Sequence, residues 1–175
     1  MNTQYILSVL VVNHPGVLAR ISGLFSRRGF NIDSLSVCES ENPELSRMTI
    51  LINGDTYLLD QVKKQLGKLV DVKKVMHFQQ DQSLSRELLL VKVSAKPHER
   101  SLLLEAASVF NAKVIDLSTS TITMELTGES AQLNAFIELL KDYGIQEMAR
   151  TGLTALERGS KCIRDYMDEF EEGED

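Results

Sequence analysis

Few residues in this 175-residue chain are spaced to do covalent chemistry. His14, His77 and His98 lie far apart, and none stands at metal-ligand spacing from another. Cys38 and Cys162 make no C-x-x-C pair, so both read as free thiols of a reducing compartment. There is no G-x-S-x-G, P-loop or G-x-G-x-x-G. Glu39, Glu41 and Glu44 could attract a cation, but in a turn they read as a solvated acidic tip. Binding chemistry is better supported. Asn13-His14-Pro15-Gly16 ends an apolar run and opens a helical one. A helix start offers unpaired N–H donors and partial positive charge, which suits a carboxylate, and Gly16 leaves room for a small ligand. An ordinary strand-to-helix turn has the same local signature, so the surrounding elements decide.

Residues 4–12 are nearly all apolar and rich in branched side chains, as in a central strand covered on both faces or against a partner. Val17, Leu18, Ile21, Leu24 and Phe25 form one helical stripe. Arg27-Arg28-Gly29 ends it with cations and a residue free to take positive φ. Residues 32–39 and 46–53 make a hairpin around the turn Glu41-Asn42-Pro43-Glu44. Asp55 then caps a second helix with the stripe Leu58, Leu59, Val62 and Leu66, and residues 70–78 give a fourth strand. The order is β-α-β-β-α-β, a ferredoxin-like unit.

After a polar stretch the order repeats. Residues 87–95 read as a strand, and Pro97-His98-Glu99 start a helix with the stripe Leu102, Leu103, Ala106, Val109 and Phe110. A hairpin over 112–127, a helix over 129–141 with Leu133, Phe136, Ile137 and Leu140, and a strand over 145–150 complete it. The repeat is one of pattern. Its first helix start has no glycine and carries Glu99, so an anionic ligand is not expected there. The fold class is α+β: two tandem ferredoxin-like βαββαβ units. The expected division is 1–79, a linker over 80–85, 86–152, and an extension over 153–175 packed on the second unit or on a partner.

Seven acidic residues and no basic one lie from Asp165 to Asp175, an end expected to be solvated and disordered. Without them 18 acidic residues face 19 basic ones, so the folded body is near neutral and does not suit nucleic acid. The hairpin strands also offer no aromatic residue to stack a base. No apolar run is long enough to span a bilayer, and Met1-Asn2-Thr3-Gln4 lacks the pattern of a secretory signal, which points to the cytoplasm.

Leu7 to Leu18, including Asn13-His14-Pro15-Gly16, resembles the opening of an ACT domain, an amino-acid-sensing module. Gly23 to Leu35, Leu45 to Ile50 and Gln65 to Val72 resemble the acetolactate synthase (acetohydroxyacid synthase) small regulatory subunit family. The likeness runs from about residue 4 to 160, more weakly through Arg86-Glu87-Leu88 and Asp116-Leu117. It implies that residues 1–79 are an ACT domain and that the chain is not itself an enzyme. The partner would be a catalytic subunit carrying thiamine diphosphate, magnesium and FAD, which condenses two 2-keto acids. This chain would raise that subunit's activity and confer feedback inhibition by valine in branched-chain amino acid biosynthesis.

The effector would sit between two ACT units of a homodimer. Asn13, His14, Pro15, Gly16, Val17 and Leu18 of one chain would face Asn31 and Ile32 of the other. The two asparagines would bind the effector's amino and carboxylate groups, N–H groups near Gly16 to Leu18 its carboxylate, and Ile32 its side chain. Valine differs from leucine or isoleucine by one methylene, worth only roughly 10- to 200-fold in affinity, so the three remain open as effectors. Two other readings use the same residues: a sensing module for a different enzyme or a transcription regulator, and a small ferredoxin-like enzyme, for which no nucleophile or acid–base pair is evident.

Overall fold

The computed structural model describes residues 3–79 and 82–165. The chain divides into two compact units, one of residues 1–85 with 153–175 and one of residues 86–152.

In the first unit β1 (Thr3–Val12) leads into α1 (Val17–Arg28), then β2 (Ser34–Glu39), β3 (Leu45–Gly54), α2 (Thr56–Leu66) and β4 (Val72–Phe78). The sheet order is β2-β3-β1-β4, so the most apolar strand is central. Both neighbours of β1 run antiparallel to it. Alternation along β1 sends Leu7, Val9 and Val11 into a core with Ile21, Phe25, Val62 and Leu66 of the two helices. Burying each such side chain contributes about 1.5–3 kcal/mol before chain entropy is counted. The α1 stripe is narrower than its sequence suggests. Val17, Ile21, Leu24 and Phe25 are buried, but Leu18 is 45% exposed beside the loop. Gly29 caps α1 at φ +68°, with its N–H bonded into the last turn. Asp55 caps α2, accepting from the Leu58 N–H at 2.8 Å.

The second unit holds most of β5 (Ser83–Ser94), then α3 (Arg100–Phe110), β6 (Lys113–Leu117), β7 (Thr121–Gly128), α4 (Ser130–Leu140) and β8 (Ile145–Arg150), with sheet order β6-β7-β5-β8. The α3 stripe differs from expectation. Leu103 and Ala107 are buried while Leu102 and Val109 face outward. A helix of alternating small and apolar residues offers two candidate faces, and only packing chooses between them.

Two expected boundaries are corrected. Ser83–Ser85, read as linker, are strand. The adjoining Gln82 carbonyl accepts from the Arg158 N–H at 2.8 Å, a partner 76 residues away that local pattern does not reveal. The extension, expected on the second unit or a partner, groups with the first unit through residues 153–165. These include β9 (Thr154–Glu157). The Leu153 N–H donates to Ser34 Oγ at 3.1 Å, and Ser36 Oγ donates back to the Leu153 carbonyl at 2.7 Å. Arg164 pairs with Glu41 at 3.1 Å. Residues 153–165 thus lie against the outer sheet face, where Leu153, Ala155 and Ile163 are buried. The acidic end expected to be disordered lies, from residue 166 on, outside the described residues.

Candidate binding site

The loop after β1 is held from two sides. The Asn13 N–H donates to the Glu44 carbonyl at 2.7 Å, and its side-chain Nδ2 donates to the Pro43 carbonyl at 2.8 Å and to Glu39 at 3.3 Å. The tip of the β2–β3 hairpin therefore fixes the start of the loop. Its end is fixed by Arg20, whose Nε pairs with Asp71 at 2.9 Å. His14, Pro15 and Gly16 between these anchors are exposed.

Gly16 has φ +90° and precedes the first helical residue, a conformation that L side chains rarely adopt. Its carbonyl accepts from the Arg20 N–H at 3.0 Å, which starts the helical ladder. Among the described residues no side chain caps this end, and the first turn carries no acid. The first amides of α1 thus keep their donor capacity for an anion approaching over Gly16. Val17 is 3% exposed and packed in the core, so only its backbone faces the loop. Leu18 beside it offers exposed apolar surface.

Asn31 and Ile32 lie at the other end of α1. The helix between is 12 residues long, about 18 Å of rise, so one chain does not bring them to the loop. Asn31 Nδ2 donates to Asp33 Oδ1 at 2.7 Å, and Asn53 Nδ2 donates to the other oxygen at 3.1 Å. Ile32 is partly buried against the core. The eight expected positions therefore fall into two groups. Six span the loop and the first turn of α1, and two lie beyond the far end of the helix.

The corresponding helix start of the second unit carries a carboxylate beside it. Glu99 Oε2 accepts from the Lys96 N–H at 3.3 Å, and Oε1 lies 3.7 Å from His98 Nε2. The carboxylate is turned back toward Lys96 and His98, and no side chain caps the first amides of α3 among the described residues. The bonds that tie Asn13 to Glu39 and Pro43 were not legible in the sequence. The acidic, turn-like composition of residues 39–44 was the available signal.

The comparisons agree with this architecture. Residues 7–74 match the model of the AHAS small subunit-like ACT domain, and residues 86–159 that of the small subunit of acetolactate synthase. The chain is 48% identical to a probable acetolactate synthase small subunit of Methanothermobacter thermautotrophicus, over 91% of this chain and 95% of that one. It is 44% identical to the acetolactate synthase isozyme 3 small subunit of Escherichia coli, over 91% and 98%. The crystal structure of the acetolactate synthase small subunit from Thermotoga maritima matches with a TM-score of 0.86 at 38% identity, covering 91% of this chain and 99% of that chain. The chain belongs to the acetolactate synthase small-subunit family.

Proposed function

We propose that this chain is the regulatory subunit of acetolactate synthase, that it has no catalysis of its own, and that it works in the cytoplasm. It binds the catalytic subunit, which carries thiamine diphosphate, magnesium and FAD, and raises its activity. It also confers inhibition by valine or another branched-chain amino acid. The names of its relatives support the pairing with a catalytic subunit.

The observation that carries the sensing role is the glycine-opened start of α1, whose first amides face an exposed loop pinned at both ends. A carboxylate docks on those amides, and Asn13 and Asn31 take the effector's polar groups. Because Asn31 lies a helix length from the loop, a complete pocket takes two chains, which supports a homodimer. The effector inhibits through its difference in affinity between the active and inactive assemblies, typically about 1–3 kcal/mol.

Calorimetric titration with L-valine tests this, using the wild type, Gly16→Ala and Gly16→Asp. The backbone at Gly16 strains any side chain, so Gly16→Ala measures strain alone, about 1 kcal/mol. Gly16→Asp adds a carboxylate where the ligand's own is placed. Saturable binding by the wild type, weakened in Gly16→Ala and abolished in Gly16→Asp with circular dichroism unchanged, is expected. Wild-type affinity in a folded Gly16→Asp chain would refute the placement. Mixing with the catalytic subunit should raise its rate and make it sensitive to valine.

A further inference from the structure

The tip of the β2–β3 hairpin bonds to two segments that lie far apart in the chain. To the α1 loop it offers the Glu44 carbonyl, which accepts the Asn13 N–H at 2.7 Å, and the Pro43 carbonyl, which accepts from Asn13 Nδ2 at 2.8 Å. To the C-terminal segment it offers Glu41, whose Oε1 lies 3.1 Å from Arg164 Nε. Between these contacts the tip is knitted together. The Asn42 carbonyl accepts from the Leu45 N–H and from Ser40 Oγ, each at 2.9 Å, and Asn42 Oδ1 accepts from the Glu44 N–H at 3.0 Å. The Ser40 N–H donates to the Leu45 carbonyl at 2.9 Å. A turn bonded in this way moves as one body, so a tie at Glu41 also restrains Pro43 and Glu44.

Arg164 is itself presented by an anchored turn. Ile163 beside it is buried. The Asp165 carboxylate accepts from the Cys162 N–H at 2.7 Å, and the Cys162 carbonyl accepts from the Asp165 N–H at 3.1 Å. We propose that Arg164 is a positioning residue for the α1 loop, acting through Glu41 and the hairpin tip on Asn13. The C-terminal segment and the loop are then coupled, and coupling is reciprocal: an amino acid closing on the loop tightens residues 162–165, and loss of Arg164 weakens its binding. The regulatory part of this rests on the sensing role of the α1 loop; the positioning does not. The side chains of Arg164 and Glu41 are 58% and 50% exposed, so the tie is screened by salt and its effect is roughly two- to fivefold.

Amide exchange of the full chain, followed by nuclear magnetic resonance at low ionic strength, reads the positioning without a ligand. Arg164→Met should speed exchange of the Asn13 and Leu45 amides by roughly two- to fivefold and leave Val9 of β1 unchanged. Arg164→Lys should restore most of the protection. In a Glu41→Gln chain the change at Arg164 should have no effect, since its partner is already gone. Salt at about 0.3 M should shrink the difference, which a loss of packing would not do. Titration with L-valine then reads the coupling. Arg164→Met should weaken binding by a similar factor, and L-valine should slow exchange at Cys162 and Asp165 in the wild type. Unchanged Asn13 exchange in Arg164→Met, or an equal effect of that change in the Glu41→Gln chain, would overturn the positioning. Full valine affinity in Arg164→Met, despite fast Asn13 exchange, would overturn the coupling. A wild type that binds no valine, with fast Asn13 exchange in Arg164→Met, would sink the sensing role and still uphold the positioning.

Discussion

The Asn13 side-chain amide donates to the Pro43 carbonyl at 2.8 Å. A carbonyl oxygen can only accept, so this bond orients the amide. Nδ2 points to the hairpin tip, and Oδ1 accepts no hydrogen bond among the described residues. One side chain thus locks the loop to the hairpin and presents an acceptor.

Replacing Asn13 should reveal both roles. Asn13→Ala is expected to weaken L-valine binding about tenfold, the loss of one hydrogen bond to a charged group. Amide hydrogen exchange at residues 42–45 should speed up, since the hairpin tip loses its tie. Calorimetry and exchange mass spectrometry check the two effects. Weaker binding without faster exchange would separate the acceptor from the tie.

In the second unit Glu87 is the group to disturb. Its carboxylate is buried, with 6% of the side chain exposed, and accepts from Arg150 Nε and Ser130 Oγ. Arg150 also donates to Asn134 at 2.8 Å. Arg150→Met strands a buried charge and is expected to destabilise this unit by roughly 2 kcal/mol. That is below the usual figure for a buried pair, because Arg150 is 29% exposed. Adding Glu87→Gln should return part of the loss, since the neutral amide needs no counter-charge. Thermal unfolding of the two variants measures it, and strictly additive losses would show that the pair is uncoupled.

His77 gives the first unit a pH response. Its pKa lies below the ordinary imidazole value because burial, and then the Lys63 ammonium, disfavour the charged form; Asp60 opposes them. The unfolded chain therefore takes up this proton at a higher pH than the folded one. Stability from this residue is complete above about pH 6.5, falls as pH drops through that value, and levels off below the folded pKa. His77→Gln should remove that slope. Hydrogen exchange of the β4 amides between pH 5 and 8, corrected for the intrinsic rate, reads it. An unchanged slope in the variant would place the titration elsewhere.

Much of the fold was written in local pattern. The apolar run of residues 4–12 marks a central strand because only a strand with neighbours on both sides buries so many branched side chains in succession. Asp55 announces a capped helix, and Gly29 after Arg27-Arg28 announces a helix end. The α3 stripe failed because Leu102, Leu103, Ala106, Ala107 and Val109 satisfy two helical faces equally. The place of residues 153–165 failed because Leu153 finds its partners, Ser34 and Ser36, 119 and 117 residues away.

The sequence by itself determined the two-unit order of elements and the family to which the chain belongs, and it supplied the loop residues proposed to meet a ligand. Periodicity, capping residues and the run from Asn13 to Gly16 are properties of neighbouring positions. The tertiary structure decided what depends on distant positions meeting. It joined Asn13 to the hairpin tip, set Asn31 a helix length away, and laid residues 153–165 along the first sheet. Hydrogen bonds and ion pairs act over about 3 Å of space, whatever the separation along the chain, and so only folding reveals them.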